Sequence, residues 1–176
     1  MKKIGIIAGS RPEVIKLAPV YHAIKKERGL EVVFCLTGQH GKNASDLAQS
    51  LGINPTRLFE IENGDSSVWD AAGEIVKRMG NWIQLEEPDL VVTQGDTSSA
   101  FGGSLAAFLC VVPVAHVEAG LRTHDLTKPF PEEGFRSMIA KIASLHFAPT
   151  STAVNNLSIE GIDSLKVHLV GNTIVD

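Results

Sequence analysis

The chain has 176 residues, with 16 Lys and Arg against 20 Asp and Glu, and a formal net charge of −4 that excludes the basic footprint of a nucleic-acid binder. Hydrophobic residues make up 44% and charged residues 20%, ordinary globular proportions that exclude a disordered or fibrous chain. A length of this order supports one domain, residues 1–176, with a core that needs no staples.

Runs rich in Ile and Val recur at 3–8, 31–37, 89–93, 112–117, 145–148 and 166–170, with a short strand also expected at 57–61. Most are followed by Gly, Ser, Thr or Asp and then by a helical pattern. Strand alternating with helix predicts an α/β fold with a Rossmann-like doubly wound parallel sheet covered on both faces. The first helix is capped by Ser10, carries Pro12 in its first turn and shows an apolar stripe of Val14, Ile15, Leu17, Ala18, Tyr21 and Ile24. Further helices are expected over 44–51, from Ser66 or Ser67 to about Glu86, from Asp96 to about Leu109, after Pro131 and after Thr150.

Cys35 and Cys110 stand in apolar runs away from any paired-Cys motif, as buried core thiols do. Trp69 and Trp82 fall on the third helix, where packing is the default role. His22, His146 and His168 show no zinc-site spacing, so no metal is expected. The apolar start is ended by Gly9-Ser-Arg11, too early for a secretory leader. The apolar stretch at 105–117 is broken by Pro113 and His116 below the roughly 18 residues of a membrane span. A cytoplasmic protein is expected, without membrane or nucleic-acid partners.

In a doubly wound sheet, ligands bind beyond the carboxyl ends of the strands. The segments there are Gly9-Ser-Arg-Pro-Glu13, Thr37-Gly-Gln-His40, Gln94-Gly-Asp-Thr-Ser98 and His116-Val-Glu-Ala-Gly-Leu-Arg-Thr123. Gly9 and Arg11 either meet an anion at a helix N-terminus or serve a tight turn and the solvent. Asp96 is either a functional carboxylate or a helix cap. Glu118 follows an apolar strand and precedes Ala119-Gly120, a setting that charged residues avoid unless paired or functional. Residues 119–130 form a polar loop carrying Arg122, His124, Asp125 and Lys128, the mark of a binding loop or of a merely solvated one. Glu132 and Glu133 suit either a site or the first turn of a helix.

Taken together, Gly9-Ser-Arg-Pro-Glu-Val-Ile-Lys-Leu-Ala-Pro19, Thr37-Gly-Gln-His40, Gln94-Gly-Asp-Thr97, His116-Val-Glu-Ala-Gly-Leu-Arg-Thr123, Pro131-Glu-Glu133 and Gly171-Asn-Thr173 resemble the non-hydrolysing UDP-N-acetylglucosamine 2-epimerases. Six motifs in order cover the whole chain. The resemblance implies a GT-B fold of two Rossmann-like domains with the active site between them. This chain would then be the amino-terminal domain, carrying half of the site, and inactive when isolated from the missing second domain. It further implies a homodimer in the full-length enzyme, UDP-GlcNAc and UDP as ligands, no cofactor, and a place in cell-envelope polysaccharide precursor synthesis.

On matching positions, the resemblance makes Asp96, Glu118 and Glu132 the acid–base carboxylates. Gly9, Arg11, Lys16, Arg122 and Arg136 become substrate-binding residues, and Gln39, His40 and Glu133 a possible allosteric site for a second UDP-GlcNAc. Departures are Phe135 where Asn is usual, Gly41-Lys42-Asn43 where Arg-Glu-Met is usual, and Phe130 where Trp is common. The alternatives are a catalytically silent nucleotide-sugar or partner-binding module, and the hydrolysing relative, against which Ala119-Gly-Leu-Arg122 argues.

Overall fold

A computed structural model describes residues 1–38, 41–59 and 67–175. Seven strands among these residues form one sheet: β1 (Lys2–Ala8), β2 (Leu30–Leu36), β3 (Arg57–Leu58), β4 (Leu90–Gln94), β5 (Val114–Val117), β6 (Leu145–Ala148) and β7 (Val167–Leu169). Their order is β3-β2-β1-β4-β5-β6-β7, and each neighbouring pair is parallel. The chain therefore winds outward from β1 to one side, crosses over, and winds outward to the other. The expected α/β, Rossmann-like sheet is present, with strand bounds within about two residues of the sequence reading except at the short strand expected over 57–61, which is observed at Arg57–Leu58 and whose residues 60–61 lie outside the described residues.

Among the described residues six α-helices connect the strands: α1 (Arg11–Lys26), α2 (Gly41–Ser50), α3 (Val68–Glu86), α4 (Ser98–Leu109), α5 (Glu132–Ile142) and α6 (Ser151–Ile159). The pleat sorts the core onto two faces. Ile4, Ile6 and Ala8 of β1 pack with Val14, Leu17 and Tyr21 of α1, whereas Ile7 packs with Ile75 and Met79 of α3. Ile7, Ile75 and Met79 are fully buried, each contributing on the order of 1.5–3 kcal/mol by leaving water.

α4 packs closely on its neighbours through small residues: a Cβ on Gly103 would stand 3.0 Å from Cγ2 of Ile7 on β1. A Cβ on Gly102 would stand 2.6 Å from Cγ2 of Ile75, so only glycine lets α3 and α4 meet at this distance. The expected start of α4 at Asp96 is corrected: the cap is Thr97, whose hydroxyl accepts from the Ala100 N–H. Two packing expectations are also corrected. Cys110 is only partly buried, and Trp69, on the outer face of α3 beside its N-terminus, is 77% exposed, while Trp82 is buried as expected.

Candidate functional site

β1, β4 and β5 lie side by side, and Gln94 of β4 is in register with Val117 of β5. Asp96 and Glu118 therefore leave the sheet at the same carboxyl edge, beside the turn that holds Gly9. Gly9 is explained by close approach. A Cβ there would fall 1.9 Å from the Ser99 hydroxyl oxygen and 2.5 Å from that of Thr37. Those two buried hydroxyls are themselves 2.7 Å apart, so the first turn of α4 is pressed against the β1–α1 turn.

The floor of this edge is a carboxylate that the sequence reading did not single out. Glu13 is 1% exposed and accepts from the N–H groups of Gly9 (3.0 Å) and Ser10 (2.6 Å) and from the Thr97 hydroxyl (2.8 Å). Burial pushes its pKa up, and these donors act against that rise. With Ser10 it forms a capping box, so the Ser10-x-x-Glu13 spacing was the available signal.

Glu118 begins the loop after β5 with φ at +64°, a left-handed conformation uncommon outside glycine. The Lys16 ammonium, reaching across from α1, donates to both of its oxygens at 2.7 and 2.8 Å. The Gln94 amide donates to Oε2, and the Asn172 amide approaches Oε1 at 3.4 Å. Donors from three separate segments thus fix the plane of one carboxylate. Gln94 and Asn172 lie within the recognised motifs, but their part in holding Glu118 was not foreseen.

A second ion pair joins Asp96 to the Arg136 guanidinium of α5. Arg136 also reaches Glu133 at 3.2 Å, and Glu133 accepts from the N–H groups of Thr123 (3.1 Å) and His124 (3.0 Å). Glu133 is 1% exposed and ties the loop before α5 to the start of that helix. Neighbouring Glu132 is half-buried, with Oε2 meeting no hydrogen-bond partner among the described residues.

Not every expected residue joins this cluster. Arg11 is exposed at the first residue of α1. Arg122, with a side chain 1% exposed, is held at 2.5 and 2.9 Å by Glu160, the residue that caps the C-terminus of α6, and it fastens the loop to that helix end. Gln39 and His40 lie outside the described residues. Among the described residues no group of three or more His, Cys, Asp or Glu is arranged to hold a metal ion, and no helix is long and apolar enough to cross a membrane.

The edge thus presents Asp96 and Glu118, paired with Arg136 and Lys16, over a floor formed by Glu13, while Glu132 opens α5 one turn before Arg136. Carboxylates and cations so placed can move protons and hold an anionic leaving group.

Comparison with known proteins bears on this arrangement. A sequence-family profile described as UDP-N-acetylglucosamine 2-epimerase matches residues 22–176. A probable UDP-N-acetylglucosamine 2-epimerase of Ralstonia solanacearum is 36% identical over 176 residues, covering 100% of this chain and 47% of the relative. The Neisseria meningitidis UDP-GlcNAc 2-epimerase, solved with UDP-GlcNAc bound, superposes with a TM-score of 0.94 at 36% identity, over 99% of this chain and 48% of that one. A structure of S. aureus MnaA with UDP superposes with the same TM-score at 41% identity, over 98% and 46%. A lipopolysaccharide galactosyltransferase at 13% identity and a TM-score of 0.68 shares the fold alone. The chain spans about half the length of the curated relatives it matches.

Proposed function

The chain belongs to the UDP-N-acetylglucosamine 2-epimerase family, and from that premise we propose that it is the amino-terminal half of an enzyme interconverting UDP-GlcNAc and UDP-ManNAc. The observation that carries the reading is the pairing of Glu118 with Lys16 and of Asp96 with Arg136 on one sheet edge. Relatives of this chain have been solved with UDP-GlcNAc and UDP at about twice its length.

Carbon 2 of the sugar has no neighbouring carbonyl, so simple deprotonation would lack resonance help. The reaction proposed is elimination and re-addition. A carboxylate takes the proton from carbon 2 as the bond from carbon 1 to the UDP oxygen breaks, giving a 2-acetamidoglucal and UDP. UDP then adds back to carbon 1 while a carboxylic acid delivers a proton to the opposite face of carbon 2. Asp96, Glu118 and Glu132 are the proposed acid–base groups, and Gly9, Lys16 and Arg136 the proposed substrate-binding ones. Elimination and re-addition each move a proton and UDP but no hydride, so this route needs no nicotinamide.

The half-length chain is proposed to be inactive alone, because a crevice with one wall neither orients the sugar nor excludes water. The complete enzyme is proposed to be a cytoplasmic homodimer serving polysaccharide precursor synthesis. The exposed apolar side chains Val68, Trp69, Leu126 and Phe130 support an apolar contact between copies. The test joins this chain to the carboxyl-terminal half of the Neisseria meningitidis relative and supplies UDP-GlcNAc in deuterated water. UDP-ManNAc carrying deuterium at carbon 2 is expected. Free ManNAc with UDP would replace the reading by the hydrolysing one, and binding without turnover by a silent module.

A further inference from the structure

Between the turns that present Asp96 and Glu118 lies a buried imidazole to which nothing above gives a role. His116 is the third residue of β5, 0% exposed, and its Nε2 is 2.7 Å from the carbonyl oxygen of Gly95. We propose that His116 is a positioning residue that sets the spacing of Asp96 and Glu118 by donating from Nε2 to the Gly95 carbonyl. Its effect on catalysis rests on the epimerase reading; its effect on the two turns does not.

Gly95 is the residue immediately before Asp96, and β5 holds it at both of its polar groups. Its N–H donates to the Val117 carbonyl at 3.0 Å, and its carbonyl receives the His116 side chain. Gly95 and Glu118 both have left-handed backbones, with φ at +74° and +64°, so the chain turns out of the ladder at each. A carbonyl turned out of the ladder and buried needs a donor from elsewhere, because leaving it unpaired costs about 1–3 kcal/mol. His116 supplies that donor from the strand that two residues later delivers Glu118. The Asp96 turn is thereby referenced to the same strand as Glu118.

The tautomer follows from the partner. A carbonyl only accepts, so the proton is on Nε2. Burial holds the His116 pKa down at about 4, leaving a neutral ring with one N–H at physiological pH. Nδ1 meets no partner among the described residues, as fits the nitrogen that carries no proton. Thr93, in register on β4, is occupied by the Ser104 hydroxyl at 2.9 Å and does not compete for the bond.

The experiment compares His116→Phe, His116→Asn and His116→Gln. Phe fills the space without a donor, Asn has a donor too short to reach Gly95, and Gln places an amide N–H near the position of Nε2. In amide spectra of residues 1–176, Phe and Asn should shift Gly95, Asp96 and Glu118, and Gln should restore them toward wild type. In the chain joined to a carboxyl-terminal half, Phe and Asn should lower kcat about ten- to a hundred-fold with KM changed less than about three-fold, while Gln stays within about three-fold of wild type. Unmoved amides would overturn the proposal, as would wild-type kcat in both Phe and Asn variants, or losses that follow only the folded fraction. A wild-type joined chain that does not turn over UDP-GlcNAc would instead overturn the epimerase reading, and the amide shifts would still decide whether His116 sets the turns.

Discussion

The carboxylate of Glu13 accepts a hydrogen bond from the Thr97 hydroxyl at 2.8 Å, although 84 residues separate them in the chain. Each belongs to a helix cap: Glu13 completes the capping box of α1, and Thr97 caps α4 by accepting from Ala100. Two helix starts from different βα units are thus locked to each other under the site. Asp96 is fastened next to this lock.

Thr97→Val removes the cap and leaves a buried Glu13 oxygen without its donor, whereas Thr97→Ser keeps both bonds. Urea unfolding of residues 1–176 should show Val less stable by about 1–3 kcal/mol and Ser within about 0.5 kcal/mol of wild type. Equal stabilities for the two variants would remove the lock from the account.

The carboxylates at the rim should separate chemistry from stability. In a joined, active chain, Asp96→Asn and Glu118→Gln should each lower kcat by about 10²–10⁴, the usual contribution of acid–base catalysis. Their ion pairs are partly open to water, so stability should change by only about 0–1 kcal/mol. Paired measurements of kcat and Tm check this. A variant that melts early yet turns over normally would strike that residue from the acid–base set.

The alternation of β-branched runs with amphipathic stretches made the sheet, its parallel sense and the residues at its carboxyl edge readable from the chain alone. What the chain hid was the choice among equivalent local options. In Asp96-Thr-Ser-Ser99 every residue has an oxygen able to cap α4. The choice falls on Thr97 because Arg136, forty positions on, claims Asp96. Arg122 read as a loop cation free for a ligand, because its partner Glu160 lies 38 residues away at the C-terminal end of α6. The exposure of Trp69 was equally hidden, since a helix's periodicity shows its apolar stripe but not where the neighbouring elements end. Asp96, Glu118 and Lys16 were legible through their motifs, but the donors that orient Glu118 were not.

Arg122 and Glu160 yield a stability prediction of their own. The guanidinium is 1% exposed and doubly bonded to a carboxylate that is 24% exposed. Arg122 holds the Glu160 pKa below its ordinary value, so the pair's stabilisation is present above that value and is lost as pH falls through the folded one. Glu160→Gln leaves the cation buried with a neutral partner, and Arg122→Leu removes the charge. Thermal unfolding at neutral pH should show Glu160→Gln destabilised by about 3–5 kcal/mol, more than Arg122→Leu. The reverse order would mean that the pair matters through packing of the arginine stem.

The pH dependence of stability should report on His116. Its ordinary pKa is 6.5, and burial in the folded chain lowers it to about 4. Between those values the unfolded chain binds a proton that the folded chain refuses, so stability falls as pH is lowered, by up to about 1.4 kcal/mol per unit for one such group. His146, in register on β6 and also lowered to about 4, acts in the same sense. Glu13 acts oppositely: burial raises its pKa, so acidification from that raised value down to 4.5 favours the folded chain. Replacing His116 with Gln, which does not titrate but keeps the donor, isolates its share from both. Tm measured from pH 7 to 4.5 should fall more steeply for wild type than for His116→Gln, with the two curves diverging below about pH 6.5. Curves that stay parallel would show that the proton leaving His116 on folding is not what acid reverses.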